Sequence, residues 1–464
     1  MDASSPIMSW LAKPTLQQPE YPDVAHRDRV LDKLRSLPPL VTSWEIERLK
    51  SLLADAAAGK RFVLQGGDCA ESLADCTPDA ITGKLKILLQ MSLVLVFGGH
   101  KPVVRIGRIA GQYAKPRSAP TETRDDQTLP SYFGDLINEY EFTTDARRPN
   151  PQLMVRGYQH AAMTLNFIRS LIDGGFADLH HPEYWDLDFC DNADLQQEYL
   201  ELVQGISQSI EFMESVGEAP IHELTRVEFF TSHEGLNLLY ESAGTRTVPR
   251  RTGYYNLTTH FPWIGDRTRA LTGAHVEYFR QIRNPIGIKV GPSADPDELL
   301  SLCDVLDPEG EPGRITLIHR FGAQAVQTHL TGLIDGFQNA GRRVLWLCDP
   351  MHGNTRSTKS GRKTRDYEAI LAELDASFDL HRNHGSHLGG VHFELTGEHV
   401  TECTGGARRL TDEQLSANYR STCDPRLNYE QALELAFRIA RRIRSTPATP
   451  PHANDSEAHA QRSE

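Results

Sequence analysis

Seven cysteines in 464 residues, with no CxxC pair among them, leave little material for a disulfide framework and suit a reducing compartment. The opening MDASSPIMSW lacks the basic-then-apolar order of a secretory leader. The most apolar run, ILLQMSLVLVFGG at 87–99, reads as too short and too broken to span a membrane. A cytoplasmic protein without a membrane partner is expected. Basic residues are outnumbered 49 to 62, for a formal net charge of -13. That argues against a nucleic-acid partner and leaves room for local anion sites. There is no GxxxxGK[ST] loop, no GxSxG elbow and no short-period repeat.

What is present alternates. RFVLQGG (61–67), PVVRIGR (102–108), RVEFFTS (226–232), YYNLTT (254–259), PIGIKVG (285–291), RITLIHR (314–320), RVLWLCD (343–349) and GGVHFEL (389–395) read as eight strands. Helix-length segments such as DELLSLCDVL and RDYEAILAELDASFDLH separate most of them. The pattern predicts an α/β protein with parallel strands, closed as a (β/α)8 TIM barrel, with a doubly wound sheet as the alternative. Residues 1–58 read as an N-terminal extension and helix, in which Thr42 and Glu45 make a capping box. Residues 59–444 form the barrel. The stretch from about 120 to 225, after the second strand, is too long for a plain connection and carries helices at 153–175 and 193–217. The amphipathic YEQALELAFRIARRIR (429–444) precedes a tail, 445–464, of disordered composition.

In such a barrel the chemistry collects at the C-terminal ends of the strands. Two groups emerge there. Cys69, His352, Glu394 and Asp424 are a thiolate, an imidazole and two carboxylates, a donor set for a divalent metal. Arg108, Lys115, Arg117, Arg267, Lys289 and Arg320 are cations suited to phosphate and carboxylate ligands. Lys289 stands inside the apolar strand IGIKVG, so it should meet an anion or carry a shifted pKa. Taken singly, each has a plainer reading: Cys69 as a small buried hydrophobe, His352 as a turn residue, Asp424 as the start of a turn before Pro425. The basic stretch RSTKSGRKTR (356–365) reads equally as a solvated loop, a phosphate contact or an interface. A Schiff-base role for Lys289 is an alternative.

The stretches FVLQGGDCAES, RIAGQYAKPRS, WIGDRTR, GIKVG, HRFG, CDPMHGNT, HFELTGE and STCDPRLN, with HHPEYWDL at 180–187, resemble in order the type II 3-deoxy-D-arabino-heptulosonate 7-phosphate (DAHP) synthases. The likeness runs from about residue 20 to 445. It implies a (β/α)8 barrel that condenses phosphoenolpyruvate with erythrose 4-phosphate and needs a divalent metal, manganese or cobalt first, zinc or iron as alternatives. By motif, Cys69, His352, Glu394 and Asp424 correspond to the metal ligands. Arg108, Arg267, Lys289 and Arg320, with Asp266 in the same WIGDRTR motif, correspond to the phosphoenolpyruvate site, and Lys115 and Ser118 to the surroundings of the aldose phosphate. Lys289, His352 and Cys69 are the expected catalytic residues. The resemblance further implies a homo-oligomer, dimer or tetramer, with a chorismate mutase as a candidate partner. Phe133 stands where the family commonly has arginine, Asp266 where it has glutamate, and THFP at 259–262 is unusual. These departures suit a secondary-metabolism branch or an amino-substituted aldose phosphate as alternatives to erythrose 4-phosphate.

Overall fold

A computed structural model describes residues 6–176, 192–217 and 227–445. Its centre is a closed barrel of eight parallel strands in chain order: β1 (Phe62–Gly67), β2 (Val103–Arg108), β3 (Phe229–Glu234), β4 (Phe261–Ile264), β5 (Ile286–Val290), β6 (Ile315–His319), β7 (Leu345–Cys348) and β8 (Gly390–Glu394). β1 closes the ring against both β2 and β8. The strands are Val-, Ile- and Leu-rich because both of their faces are covered, as parallel sheets require.

The fourth strand corrects the sequence reading. YYNLTT has the aromatic and β-branched residues favoured in strands. Its strand is Tyr255–Asn256, which pairs antiparallel with Thr245–Arg246 outside the barrel, and Tyr254 makes a single parallel bridge to Ile282. The barrel strand is FPWI, just beyond the stretch read as the fourth strand. β5 pairs with β4 only from Trp263 onward, so the missing N–H of Pro262 removes no rung on that side. β3 also runs to Glu234, placing His233 and Glu234 within the strand.

The extension does mechanical work at the base of the barrel. Helix Ser43–Ala57 begins with the Thr42–Glu45 capping box and packs Leu49, Leu52, Leu53 and Ala56 against Val63, Val104, Phe230, Phe261 and Leu345. It thereby closes the end opposite the strand C-termini. The expected helices after β2 are present as Gln152–Asp173 and Ala193–Gly217. HHPEYWDL lies outside the described residues. The apolar run at 87–99 belongs to a longer helix, Pro78–Gly99, long and apolar enough by composition to cross a membrane, with two thirds of its most apolar window buried inside the molecule. Its cover is the C-terminal helix Tyr429–Ser445. The six described cysteines are unpaired.

Candidate active site

Strand register assembles the site. Gly67 is level with Arg108 of β2 on one side and Glu394 of β8 on the other. Cys69, two residues further on, therefore emerges between them. Gly67 has φ of +144°, and a Cβ there would stand 2.5 Å from the Arg108 carbonyl oxygen, so only glycine lets the two strand ends close up. The strand ends open into a pocket of about 460 Å³. Cys69, Arg108, Lys115, Ser118, Asp266, Arg267, Lys289, Arg320, His352, Glu394 and Asp424 all line it.

On one wall, donor atoms of Cys69, Glu394 and Asp424 lie within 4.8 Å of one another. His352 joins them through Nε2, which is 3.1 Å from Glu394 Oε1. Its Nδ1 is 2.7 Å from Asp349 Oδ2. A proton held there leaves Nε2 free as a ligand, the arrangement in which a carboxylate orients a metal-binding histidine. The wall is strongly anionic. Lys115 sets its ammonium against Cys69 Sγ and donates to Asp424 Oδ2 at 2.5 Å. A cation in the middle of a thiol and carboxylate cradle is evidence that the cradle suits positive charge, and sulfur, nitrogen and oxygen donors together suit a borderline divalent ion. Lys115, expected near an aldose phosphate, is thus placed at the metal candidates.

Burial alone would raise the Glu394 carboxyl, but His352, Arg365, Lys115 and Arg108 outweigh it and hold the group well below the usual range. Asp424 is likewise held down, burial being overcome chiefly by Lys115. The Cys69 thiol is pushed well up by burial, then by Cys423 and Glu394. A bound cation reverses that balance and takes the thiolate.

Cations line the rest of the pocket. Arg108 is clamped by the Asp68 and Cys69 carbonyls at 2.9 and 3.0 Å and by Glu394 at 3.1 Å, with its guanidinium over Trp263. Lys289 is fully buried and bonds Asp349. Burial draws its ammonium down to about 8, with Asp349 opposing. The shifted pKa and the anion expected from its place in an apolar strand are both present. Arg320 reaches Asp266 at 3.2 Å, and Arg267 donates to Ser118 Oγ at 3.0 Å toward solvent. Asp266 also accepts from Arg269 and from the Gly291 N–H, so it organises this part of the pocket.

Sequence reasoning assigned no role to Arg365, Trp263 or Glu234. Arg365 comes from the basic 356–365 stretch, yet it is buried and donates to Glu394 at 2.7 Å. Glu234 lines the pocket with Oε1 unpartnered among the described residues. Burial raises its carboxyl against the pull of Lys289, Lys115 and Arg108, which suits proton exchange. Other polar residues at or near strand ends are engaged elsewhere. His233 bonds Glu241, His260 accepts from the Thr231 N–H, and Asp68 joins Lys84 and Arg426. Phe133 packs on an apolar cluster beside the barrel.

The model of the class-II DAHP synthetase family matches residues 5–440. The chain is 49% identical over 452 residues to a phospho-2-dehydro-3-deoxyheptonate aldolase of Neurospora crassa, covering 94% of each. Proteins of the same name from Streptomyces coelicolor and Mycolicibacterium smegmatis are 47% and 44% identical. These matches cover 94% of this chain and 97% and 94% of the relatives.

Proposed function

The chain belongs to the class-II DAHP synthetase family and is a transferase with that family's aldol-type condensation chemistry, and from this premise we propose that it joins phosphoenolpyruvate to erythrose 4-phosphate and water, releasing DAHP and inorganic phosphate. One observation carries the reading: a single pocket brings together an anionic cradle of Cys69, His352, Glu394 and Asp424 and the cations Arg108, Lys289, Arg320 and Arg267. One reactant must be an anion, and the other must be activated beside it.

The cations bind the carboxylate and phosphate of phosphoenolpyruvate and keep them bound as charge redistributes. Carbon 3 then bonds to the aldehyde carbon, water adds at carbon 2, and phosphate leaves with C–O cleavage. A divalent metal held by Cys69, His352, Glu394 and Asp424, manganese or cobalt first, supplies when bound a Lewis acid for the aldehyde oxygen. Asp349 holds His352 in orientation. Lys289 and Glu234, whose pKa values are displaced toward neutrality, are the groups suited to give a proton to the aldehyde oxygen as it becomes a hydroxyl and to take one from the water that adds at carbon 2. Trp263 walls the pocket behind Arg108.

The test is an assay with phosphoenolpyruvate, erythrose 4-phosphate and added manganese or cobalt, following product mass and phosphate release. An amino-substituted aldose phosphate is run in parallel. Turnover that is lost in chelator and restored by metal is expected. No turnover of either aldose refutes the substrate assignment, and full activity of metal-stripped Cys69→Ala refutes the metal's role. The lowered Lys289 ammonium also supports a Schiff-base reading. Borohydride trapping of a substrate adduct on Lys289 would establish it in place of the metal route.

A further inference from the structure

We propose that His319, Cys348 and Glu373 form a second metal site, separate from the pocket, that holds a borderline divalent cation such as zinc as a structural element. His319 and Cys348 end β6 and β7 and are register partners. Glu373 faces them from helix Tyr367–Asn383. One donor atom from each lies within 4.8 Å of the other two, and all three residues are fully buried.

The second observation is His319 itself. It is 0% exposed, and neither ring nitrogen has a hydrogen-bond partner among the described residues. A buried imidazole in that state has given up its bonds to water and received nothing in return. The neighbouring donors also have coordination to spare. Glu373 Oε1 accepts from the Phe321 N–H and Oε2 from Asn354 Nδ2, both at 2.8 Å, the Gly322 N–H also bonds the carboxylate, and one lone pair of the four is left for an ion. Cys348 Sγ meets the Ser377 hydroxyl, at 3.4 Å. His381 stands beside His319, ring centroids 5.9 Å apart, with Nε2 unpartnered among the described residues, and is a candidate fourth donor.

The chemistry selects the ion. Sulfur, nitrogen and carboxylate donors suit zinc and its neighbours and disfavour magnesium and calcium, which take oxygen. A thiolate, a carboxylate and a neutral imidazole around a dication leave the buried cluster uncharged. Donors of a tetrahedral zinc site stand roughly 3.3 to 3.8 Å apart, so the side chains need to close by at most about 1.5 Å. An ion here would tie β6, β7 and the following helix together directly behind the loops that carry Arg320 and His352. Because the site is enclosed, it would fill during folding.

The full chain is produced in medium supplemented with zinc or cobalt and the metal per chain is counted by mass spectrometry. Cys69→Ser disables the pocket's cradle and is the background for the other variants. The expected result is that Cys69→Ser retains one zinc per chain. With cobalt it should show the near-ultraviolet thiolate-to-metal absorption, which Cys348→Ser added to it abolishes. His319→Gln and Glu373→Gln, each close in shape to the native residue, should remove the same equivalent if Cys348→Ser fails to fold. Metal absent from Cys69→Ser, or retained in full by the His319→Gln double variant, overturns the proposal and leaves an ordered water as the partner of His319. The readout is metal content and absorption, so it stands whatever the assay of condensation shows.

Discussion

At the scale of single residues, Asp349 joins the cradle to the cations. It is fully buried and accepts from Lys289, from His352 Nδ1 at 2.7 Å and from the backbone N–H groups of Met351 and His352 at 3.0 and 3.2 Å. Burial would raise its carboxyl, but His352 and Lys289 prevail and hold it well below the usual range. The same pair governs Lys289, which burial lowers to about 8 while Asp349 pulls upward. A protonated Lys289 is what binds an anion or gives a proton, so its contribution is present below pH 8 and lost as pH rises through that value. Asp349→Asn keeps the shape and deletes the upward pull. Lys289 then loses its proton at lower pH, and the alkaline limb of kcat/KM moves below 8. Loss of the group orienting His352 should also lower kcat/KM at neutral pH by about 10- to 100-fold. An alkaline limb in the same place in wild type and variant would show that this pair does not set it.

At the scale of elements, the loops after β6 and β7 pack backbone to backbone, and Gly353 is the contact. A Cβ at Gly353 would stand 2.2 Å from the Gly322 nitrogen and 2.7 Å from the Phe321 carbonyl carbon, atoms that no side-chain rotation can move away. Gly353→Ala should therefore push apart the loops bearing His352 and Arg320, lower stability by about 1–3 kcal/mol and weaken both metal and phosphoenolpyruvate binding. Thermal unfolding and paired titrations check this, and native affinities for both ligands would count against it. The same loops mark where the sequence was readable. β6 and β7 are uninterrupted apolar runs with polar residues just past their ends, so His352 and Arg320 could be placed from order alone. β4 could not. FPWI carries a proline that reads as a turn, while YYNLTT has strand composition but spends its polar groups on Glu241, bonded by Asn256 and Thr258. Arg365 was hidden for a related reason. Its charged surroundings look solvated, and only the hairpin of Thr355–Ser357 with Lys363–Arg365 turns that one side chain inward to Glu394. Glu234 reads as a loop residue until the barrel makes it part of the pocket wall.

At the scale of the whole molecule, the barrel is sealed by elements far apart in the chain. After β8 the backbone returns so that the Leu427 N–H donates to the Glu394 carbonyl at 2.9 Å. Arg426 binds Asp68 at 2.7 Å and Glu402 at 2.9 Å, linking this return to the end of β1. Helix Tyr429–Ser445 then covers helix Pro78–Gly99, whose Met91, Val94 and Leu95 share a core with Leu433, Leu435, Phe437, Ile439 and Ile443. Burying a large apolar side chain contributes about 1.5–3 kcal/mol, so these five C-terminal residues contribute on the order of 10 kcal/mol. That equals most of the roughly 5–15 kcal/mol that keeps a typical domain folded. A chain ending at residue 428 should accordingly not fold: it would lose this term and expose a helix apolar enough to aggregate. Ile439→Ala, which removes one side chain from the middle of the contact, should cost about 2–5 kcal/mol and still give a folded barrel with native condensation kinetics below its lowered melting temperature. Circular dichroism and denaturant unfolding distinguish the cases. A soluble, cooperatively unfolding chain ending at 428 would mean that the barrel closes without its last helix, and that the helix is an addition to the fold rather than its seal.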